Sequence, residues 1–233
     1  MKTIGILGGM GPLATVDIFK KIVMMTEAYC DNDHIPIIID NNTLIPDRTS
    51  HIMGRGESPV RELVKSALRL EAMGADVIII ACNTAHYYYN DIVKHVSIPV
   101  INMIEETARE VLKNKPYVKK AGLIATEGTY NTGIYKSVFN SFGIELIQPN
   151  PENTKHIMDV IYGIKKGLMD MDPTNFKQAI DELKSKGSET LILGCTEIPM
   201  AFRMFDIHED YVGASEVLAK RAIEFAGKNI IAR

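Results

Sequence analysis

Val77-Ile-Ile-Ile-Ala-Cys82-Asn83-Thr84 and Thr190-Leu-Ile-Leu-Gly-Cys195-Thr196-Glu197 are two versions of one stretch, their cysteines 113 residues apart in a chain of 233. Each is a short β-branched or leucine-rich run that stops at a cysteine and is followed by small polar residues. Each has the same lead-in, a glycine eight residues before the cysteine (Gly74, Gly187) and a leucine four before that (Leu70, Leu183). A short apolar run bounded by turn residues reads as a buried strand, and a helix that stops on glycine leads naturally into it. Strands that alternate with helices in this way predict an α/β fold with a mostly parallel sheet.

The flanking sequence extends the pattern. Ile4 to Leu7 reads as a strand, and Gly8-Gly-Met-Gly-Pro12 as a turn. Leu13 to Tyr29 follows as a helix, its apolar residues recurring every three or four positions. Gly9-Met-Gly11-Pro-Leu-Ala14 fits a G-x-G-x-x-A dinucleotide fingerprint, but such matches are common, and a tight turn with close backbone approach explains the glycines equally. His34 to Asp40 reads as the second strand and Asn41 to Ser50 as a polar loop carrying Arg48. Pro59 to Met73 reads as an amphipathic helix, Ile98 to Met103 as a strand and Ile104 to Asn114 as a helix.

The second half replays the first. Ala121-Gly-Leu-Ile-Ala-Thr-Glu-Gly128 lies 117 residues after Ile4-Gly-Ile-Leu-Gly-Gly-Met-Gly11 and shares its glycines at Gly5/Gly122 and Gly11/Gly128. A helix starting within Thr132 to Phe139, a strand over Gly143 to Ile147, and helices over Asn153 to Lys166 and Pro173 to Lys186 then lead to Cys195. Offsets of 117 and 113 in the same order predict two similar α/β halves from a duplication. The tail, Gly213 to Lys228, is an amphipathic helix expected to pack back on the first half. The domains are therefore expected at 1–103 plus 208–233, and at 104–207.

Composition bounds the function. With 46% apolar and 24% charged residues and a net charge of −3, the chain has the balance of a soluble globular protein, with no electrostatic reason to bind nucleic acid or an anionic membrane. Its apolar runs are far shorter than the ~20 residues of a membrane span, and the first residues lack a signal-peptide pattern. Three cysteines without a C-x-x-C spacing make no disulfide framework, so free thiols in a reducing, cytoplasmic compartment are expected.

Two equivalent strand ends in a duplicated protein can face one cavity. A thiol at a helix N-terminus is expected to titrate below its usual ~8.5. Two thiols on opposite sides of a carbon acid suit racemisation or epimerisation, one removing a proton as thiolate while the other delivers one. Asn83, Thr84 and Thr196 are placed to hold a carboxylate beside them. Cys30 lacks this context and reads as structural. The histidines (His34, His51, His86, His95, His156, His208) show no zinc-ligand spacing around the cysteines, so no metal is expected. His86 could serve as the base of a Cys–His hydrolase, but the second cysteine would then have no role.

The chain resembles the cofactor-independent aspartate/glutamate racemase family, its aspartate racemase branch most closely. Gly8-Gly-Met-Gly-Pro12, Asn41-Asn with Ile45-Pro-Asp-Arg48, Ala81-Cys-Asn-Thr-Ala-His86, Ala125-Thr-Glu-Gly-Thr129 and Gly194-Cys-Thr-Glu197 carry the resemblance across nearly the whole chain. It implies two Rossmann-like three-layer domains related by a pseudo-twofold, an active site in the cleft between them, a homodimer, and no pyridoxal phosphate or other cofactor. It makes Cys82 and Cys195 the acid/base pair and gives the α-carboxylate to Asn83, Thr84 and Thr196, with Met10 and Thr126 lining the pocket. The side-chain carboxylate falls to Arg48 and Lys165, with Lys166 as the alternative because the segment looks one residue short. Tyr211-Val-Gly-Ala-Ser departs from the usual Asp-Pro pair of relatives but touches no proposed catalytic group. Two cations in one cleft call for a dicarboxylate, hence an acidic amino acid, aspartate first and glutamate second. The rivals are another enzyme of this architecture (glutamate or hydantoin racemase, maleate isomerase, arylmalonate decarboxylase) and a non-catalytic dicarboxylate-binding protein, which would not need two thiols.

Overall fold

Short apolar runs become interior strands because helices cover both faces of a parallel sheet. A computed structural model describes residues 1–231. Its first half runs β1 (Ile4–Gly8), α1 (Pro12–Met25), β2 (Ile37–Asn41), α2 (Arg48–Ile52), α3 (Val60–Ala72), β3 (Val77–Ile80), α4 (Tyr89–Val93), β4 (Val100–Ile101) and α5 (Met103–Asn114). The second half runs β5 (Lys120–Ala125), α6 (Glu127–Thr132), α7 (Ile134–Ser141), β6 (Glu145–Ile147), α8 (Pro151–Lys165), α9 (Thr174–Ser185), β7 (Thr190–Gly194), α10 (Ile198–Met204) and β8 (Tyr211–Gly213), and α11 (Ala214–Phe225) closes the chain. Among the described residues no helix is long and apolar enough to cross a membrane.

The strands form two sheets of four, ordered β2-β1-β3-β4 and β6-β5-β7-β8, with every pair parallel. The chain turns from one side of each sheet to the other between the first and third strands of that half. The crevice beyond the carboxyl ends at such a switch point is where open α/β sheets hold ligands. Cys82 lies just past β3 and Cys195 just past β7, so each occupies the switch point of its own half.

The duplication persists in atomic detail. Gly74 and Gly187 end α3 and α9 with φ of 94° and 92°, the left-handed conformation that glycine adopts without strain. The next residue closes each cap in the same way, Ala75 N–H donating to Leu70 O at 3.1 Å and Ser188 N–H to Leu183 O at 3.2 Å. Both leucines are fully buried. A Cβ on Gly5 of β1 would come within 2.9 Å of Ala75 and 3.3 Å of Leu70. One on Gly122 of β5 would come within 2.8 Å of Ser188 and 3.1 Å of Leu183. The shared glycines are there to admit the shared helix end.

Three expectations need correction. The helix expected within Thr132 to Phe139 begins earlier, at Glu127, and breaks at Gly133 into α6 and α7. Thr126 caps its start, the hydroxyl accepting from Thr129 N–H at 3.2 Å. Arg48 lies on the one-turn helix α2, capped by Asp47, and not in an open loop. Residues 208–213, expected with the first half, carry β8, which pairs with β7 through Leu191–Tyr211, Ile192–Val212 and Leu193–Gly213, so they go with the second sheet. From Ala214 onward the chain returns: Ala214, Leu218, Ala222 and Ile223 of α11 pack with Ile4, Ile6, Ile18 and Ile22. Val217, on the same helix, packs with Ile104, Ala108 and Val111 of α5 against the second sheet.

Candidate active site

Cys82 is buried where β3 ends, and the turn after it is clamped by His86. With Nε2 accepting from Met103 N–H at 3.1 Å, the proton sits on Nδ1, which donates to the Cys82 carbonyl at 2.9 Å. Burial pulls this imidazole down to about 4, against the pull of its backbone hydrogen bonds, and keeps it neutral. Both ring nitrogens are committed to backbone, which removes His86 as a base for the thiol. The turn from Thr84 to Tyr88 is 3-10 and passes into α4.

Cys195 is buried at the end of β7. Its Sγ donates to Glu197 Oε2 at 3.0 Å, and the Thr196 hydroxyl donates to the same oxygen at 3.0 Å. Burial and then the Glu197 charge push this thiol well above its ordinary range, only partly opposed by Lys165. The lowered value expected of a helix N-terminus is therefore reversed at Cys195. The helix α10 begins three residues later and is short, while a buried carboxylate lies in direct contact with the sulfur.

The polar groups expected beside the thiols meet across the seam of the two halves. Thr84 Oγ1 lies 2.9 Å from Thr126 Oγ1 and 3.1 Å from Thr129 Oγ1, and the last two are 3.0 Å apart. Asn83 accepts at Oδ1 from the Tyr135 hydroxyl, and its Nδ2 is buried without a partner among the described residues. Met10 is buried beyond β1 and gives its carbonyl to Arg48 Nη2 at 2.9 Å. Arg48, buried itself, also donates from Nη1 to Pro46 O at 3.1 Å and Ile45 O at 3.4 Å, and its Nε lacks a partner among the described residues. Among the described residues Arg48 pairs with no carboxylate.

Lys165, the last residue of α8, is half-buried, whereas Lys166 is exposed. Burial lowers the Lys165 ammonium, but the charges of Glu197, Cys195 and Cys82 outweigh that and leave its pKa raised, with Arg48 acting in opposition. One ammonium thus lies within electrostatic reach of both thiols, the buried carboxylate and the buried guanidinium. A cavity of ≈ 290 Å³ opens beside it, lined by Gly11, Pro12, Leu13, Ile164, Lys165 and Glu197 among others. The glycine-rich turn contributes to this wall. Its Gly9 packs so tightly on the second strand's loop that a Cβ would fall 2.4 Å from the Asn42 backbone, the close approach that the glycines suggested.

Four further residues beside these groups were not singled out by the sequence reading. Glu197 stands in the opening stretch itself, an acid two residues past a thiol. Thr129 and Tyr135 come from α6 and α7 and reach the first half only through tertiary contact. Tyr88 joins them: buried near Arg48 and Cys82, it is pushed by burial to about 12, and its hydroxyl lies 2.8 Å from His51 Nδ1.

Residues 7–215 match a family described as Asp/Glu/Hydantoin racemase. The chain is 28% identical over 232 residues to the broad specificity amino-acid racemase RacX of Bacillus subtilis (strain 168), an alignment covering 94% of this chain and 96% of that one. The structure superposes on Picrophilus torridus aspartate racemase with a TM-score of 0.88 and 31% identity, over 99% of this chain and 96% of that one. Similarity to the glutamate racemase of Persephonella marina is 31% over 150 residues, 62% of this chain and 54% of that protein.

Proposed function

The chain belongs to the Asp/Glu/hydantoin racemase family of isomerases, and we propose that its own reaction is the interconversion of L- and D-aspartate, with glutamate as a second substrate. In this reading no pyridoxal phosphate or metal takes part, and Cys82 and Cys195 are the acid/base pair. The observation that carries it is the position of Lys165, half-buried at the wall of a cavity that Glu197 also lines, while Arg48 is buried beside Met10 with no carboxylate partner among the described residues. Two such cations suit a substrate with two carboxylates. The likeness to an aspartate racemase, at 31% identity and a TM-score of 0.88, supports aspartate.

In one direction the Cys82 thiolate takes the α-proton from one face of the substrate, and the Cys195 thiol gives its proton to the carbon from the other. Hydrogen bonds from Asn83 and Thr84 to the α-carboxylate stabilise the negative charge that spreads onto it. Product leaves with Cys82 protonated and Cys195 ionised. For the opposite enantiomer the roles exchange: Cys82 starts as the thiol that delivers a proton and Cys195 as the thiolate that removes one, and Glu197 Oε2 at 3.0 Å is placed to take the Cys195 proton. Arg48 and Lys165 hold the side-chain carboxylate, Met10 and Thr126 line the pocket, and Thr196, expected at the α-carboxylate, gives its hydroxyl to Glu197 Oε2 and shapes the pocket instead. A homodimer in the cytoplasm goes with this reading, and light scattering checks the pairing.

The test is incubation with L-aspartate in D₂O. D-aspartate should appear with deuterium at the α-carbon, and Cys82→Ser or Cys195→Ser should each stop racemisation while leaving one-sided exchange with one enantiomer. A wild-type protein that racemises neither aspartate nor glutamate would sink the reading.

A further inference from the structure

Tyr135 stands on α7 in the second half, its ring fully buried against Phe139 with centroids 5.7 Å apart. Its hydroxyl crosses to the first half and donates to Oδ1 of Asn83, the residue that follows Cys82. That is its sole hydrogen bond among the described residues. Burial, with the charge of Cys195 behind it, holds this phenol well above its ordinary range, so it keeps its proton. A buried hydroxyl that must donate selects the acceptor end of a neighbouring amide. The oxygen of Asn83 therefore faces Tyr135 and the NH₂ faces away, where Nδ2 is buried and without a partner among the described residues.

We propose that Tyr135 is a positioning residue for the racemase reaction. By donating to Asn83 Oδ1 it holds the amide in the one of its two orientations that offers Nδ2–H to an incoming α-carboxylate. Recognition by the first half then depends on a hydroxyl supplied by the second. The inference rests on the reading of Asn83 as a carboxylate ligand and adds what orients it. A phenol that merely satisfies itself in a core would leave substrate affinity alone.

Tyr135→Phe removes the hydroxyl and keeps the packed ring. The expected result is a rise in KM for L-aspartate of about five- to twentyfold together with a smaller fall in kcat, because the Asn83 amide binds the α-carboxylate and also stabilises the charge that spreads onto it, while the thiols and Lys165 are untouched. Asn83→Ala should raise KM as well, and adding Tyr135→Phe to it should change KM by less than twofold, since there is no amide left to orient. A Tyr135→Phe protein with wild-type KM overturns the proposal, as does a double variant whose effects multiply. Should Tyr135→Phe not fold, Tyr135→Met, which also lacks the donor and fills the buried site with an adaptable apolar side chain, takes its place, and wild-type KM in that variant is the overturning result. The two readings fail separately. If the wild type binds aspartate without racemising it, the racemase reading falls, and the same comparisons made on calorimetric Kd values decide the role of Tyr135. If it binds neither aspartate nor glutamate, both fall.

Discussion

The Cys195 thiol donates to Glu197 Oε2 at 3.0 Å, with both residues nearly out of water. A carboxylate in contact with a sulfur opposes the thiolate, so this cysteine rests as an acid, and the contact makes the two thiols of a duplicated site chemically unlike. Glu197→Gln removes the charge and keeps the shape. In a Cys30→Ser/Cys82→Ser background, thiolate absorbance should show the Cys195 titration above the ordinary ~8.5, moving down when Glu197 becomes Gln. An unmoved midpoint would mean that burial alone sets it.

The same shift has a stability consequence of definite sign. A thiol raised in the folded state is more protonated there than in the unfolded chain. Its contribution is complete below the unfolded value near ~8.5 and is lost as pH rises above it. Glu197→Gln should therefore lessen the alkaline fall in Tm relative to wild type.

His86 predicts the opposite trend in acid. Its folded-state value of about 4 lies below the ordinary 6.5, so the unfolded chain binds the proton first. Stability is complete above 6.5 and drains away as pH falls towards 4, by up to ~3 kcal/mol at ~1.4 kcal/mol per pH unit. His86→Gln should be less stable than wild type at pH 7 but lose less Tm on going to pH 5. Parallel melting curves for the two proteins would remove this account.

Lys165 and Lys166 are adjacent in sequence and both border the cavity, but Lys165 is half-buried and Lys166 exposed. Lys165→Ala should lower kcat/KM for aspartate by ~10- to 100-fold, the range of a hydrogen bond to a charged group, while Lys166→Ala should stay within twofold. Steady-state kinetics of both variants settles the choice that the motif spacing left open, and an equal effect of the two would refute it.

What could be read from the sequence divides along a physical line. The strand ends at Cys82 and Cys195 and the two-sheet fold were legible because strand, glycine cap and thiol recur at fixed offsets, and local patterns repeat when structures do. The helix α2 was not, because five residues headed by Asp47 carry no apolar period. Nor was β8, three residues with Tyr211 facing outward, whose place is set by pairing with β7. Glu197 was in plain view, but its significance comes from the burial that brings it against Cys195. The Tyr135–Asn83 and Thr84–Thr129 contacts join residues 52 and 45 positions apart on different halves, which no local period can announce.

The seam between the halves gives a prediction whose sign decides it. Gly128 is buried on α6 and faces α2, where an added Cβ would sit 2.9 Å from Thr49 Oγ1 and 3.0 Å from Thr49 Cα. Its backbone is ordinary helix, so alanine alone would stabilise it by ~1 kcal/mol. The clash acts the other way, because backbone at that distance cannot turn aside as a flexible side-chain tip can, and overpacking of this kind costs ~1–3 kcal/mol. Thr49 follows Arg48, and His51 on the same helix meets Tyr88, so displacing α2 moves the guanidinium that the reading gives to the substrate's side chain. Gly128→Ala should thus lower Tm by a few degrees and raise KM for aspartate about tenfold. Thr49→Ala added to it should recover part of each loss, removing the 2.9 Å contact but not the one to Cα. A Gly128→Ala protein more stable than wild type with unchanged KM would show that the halves close without that contact.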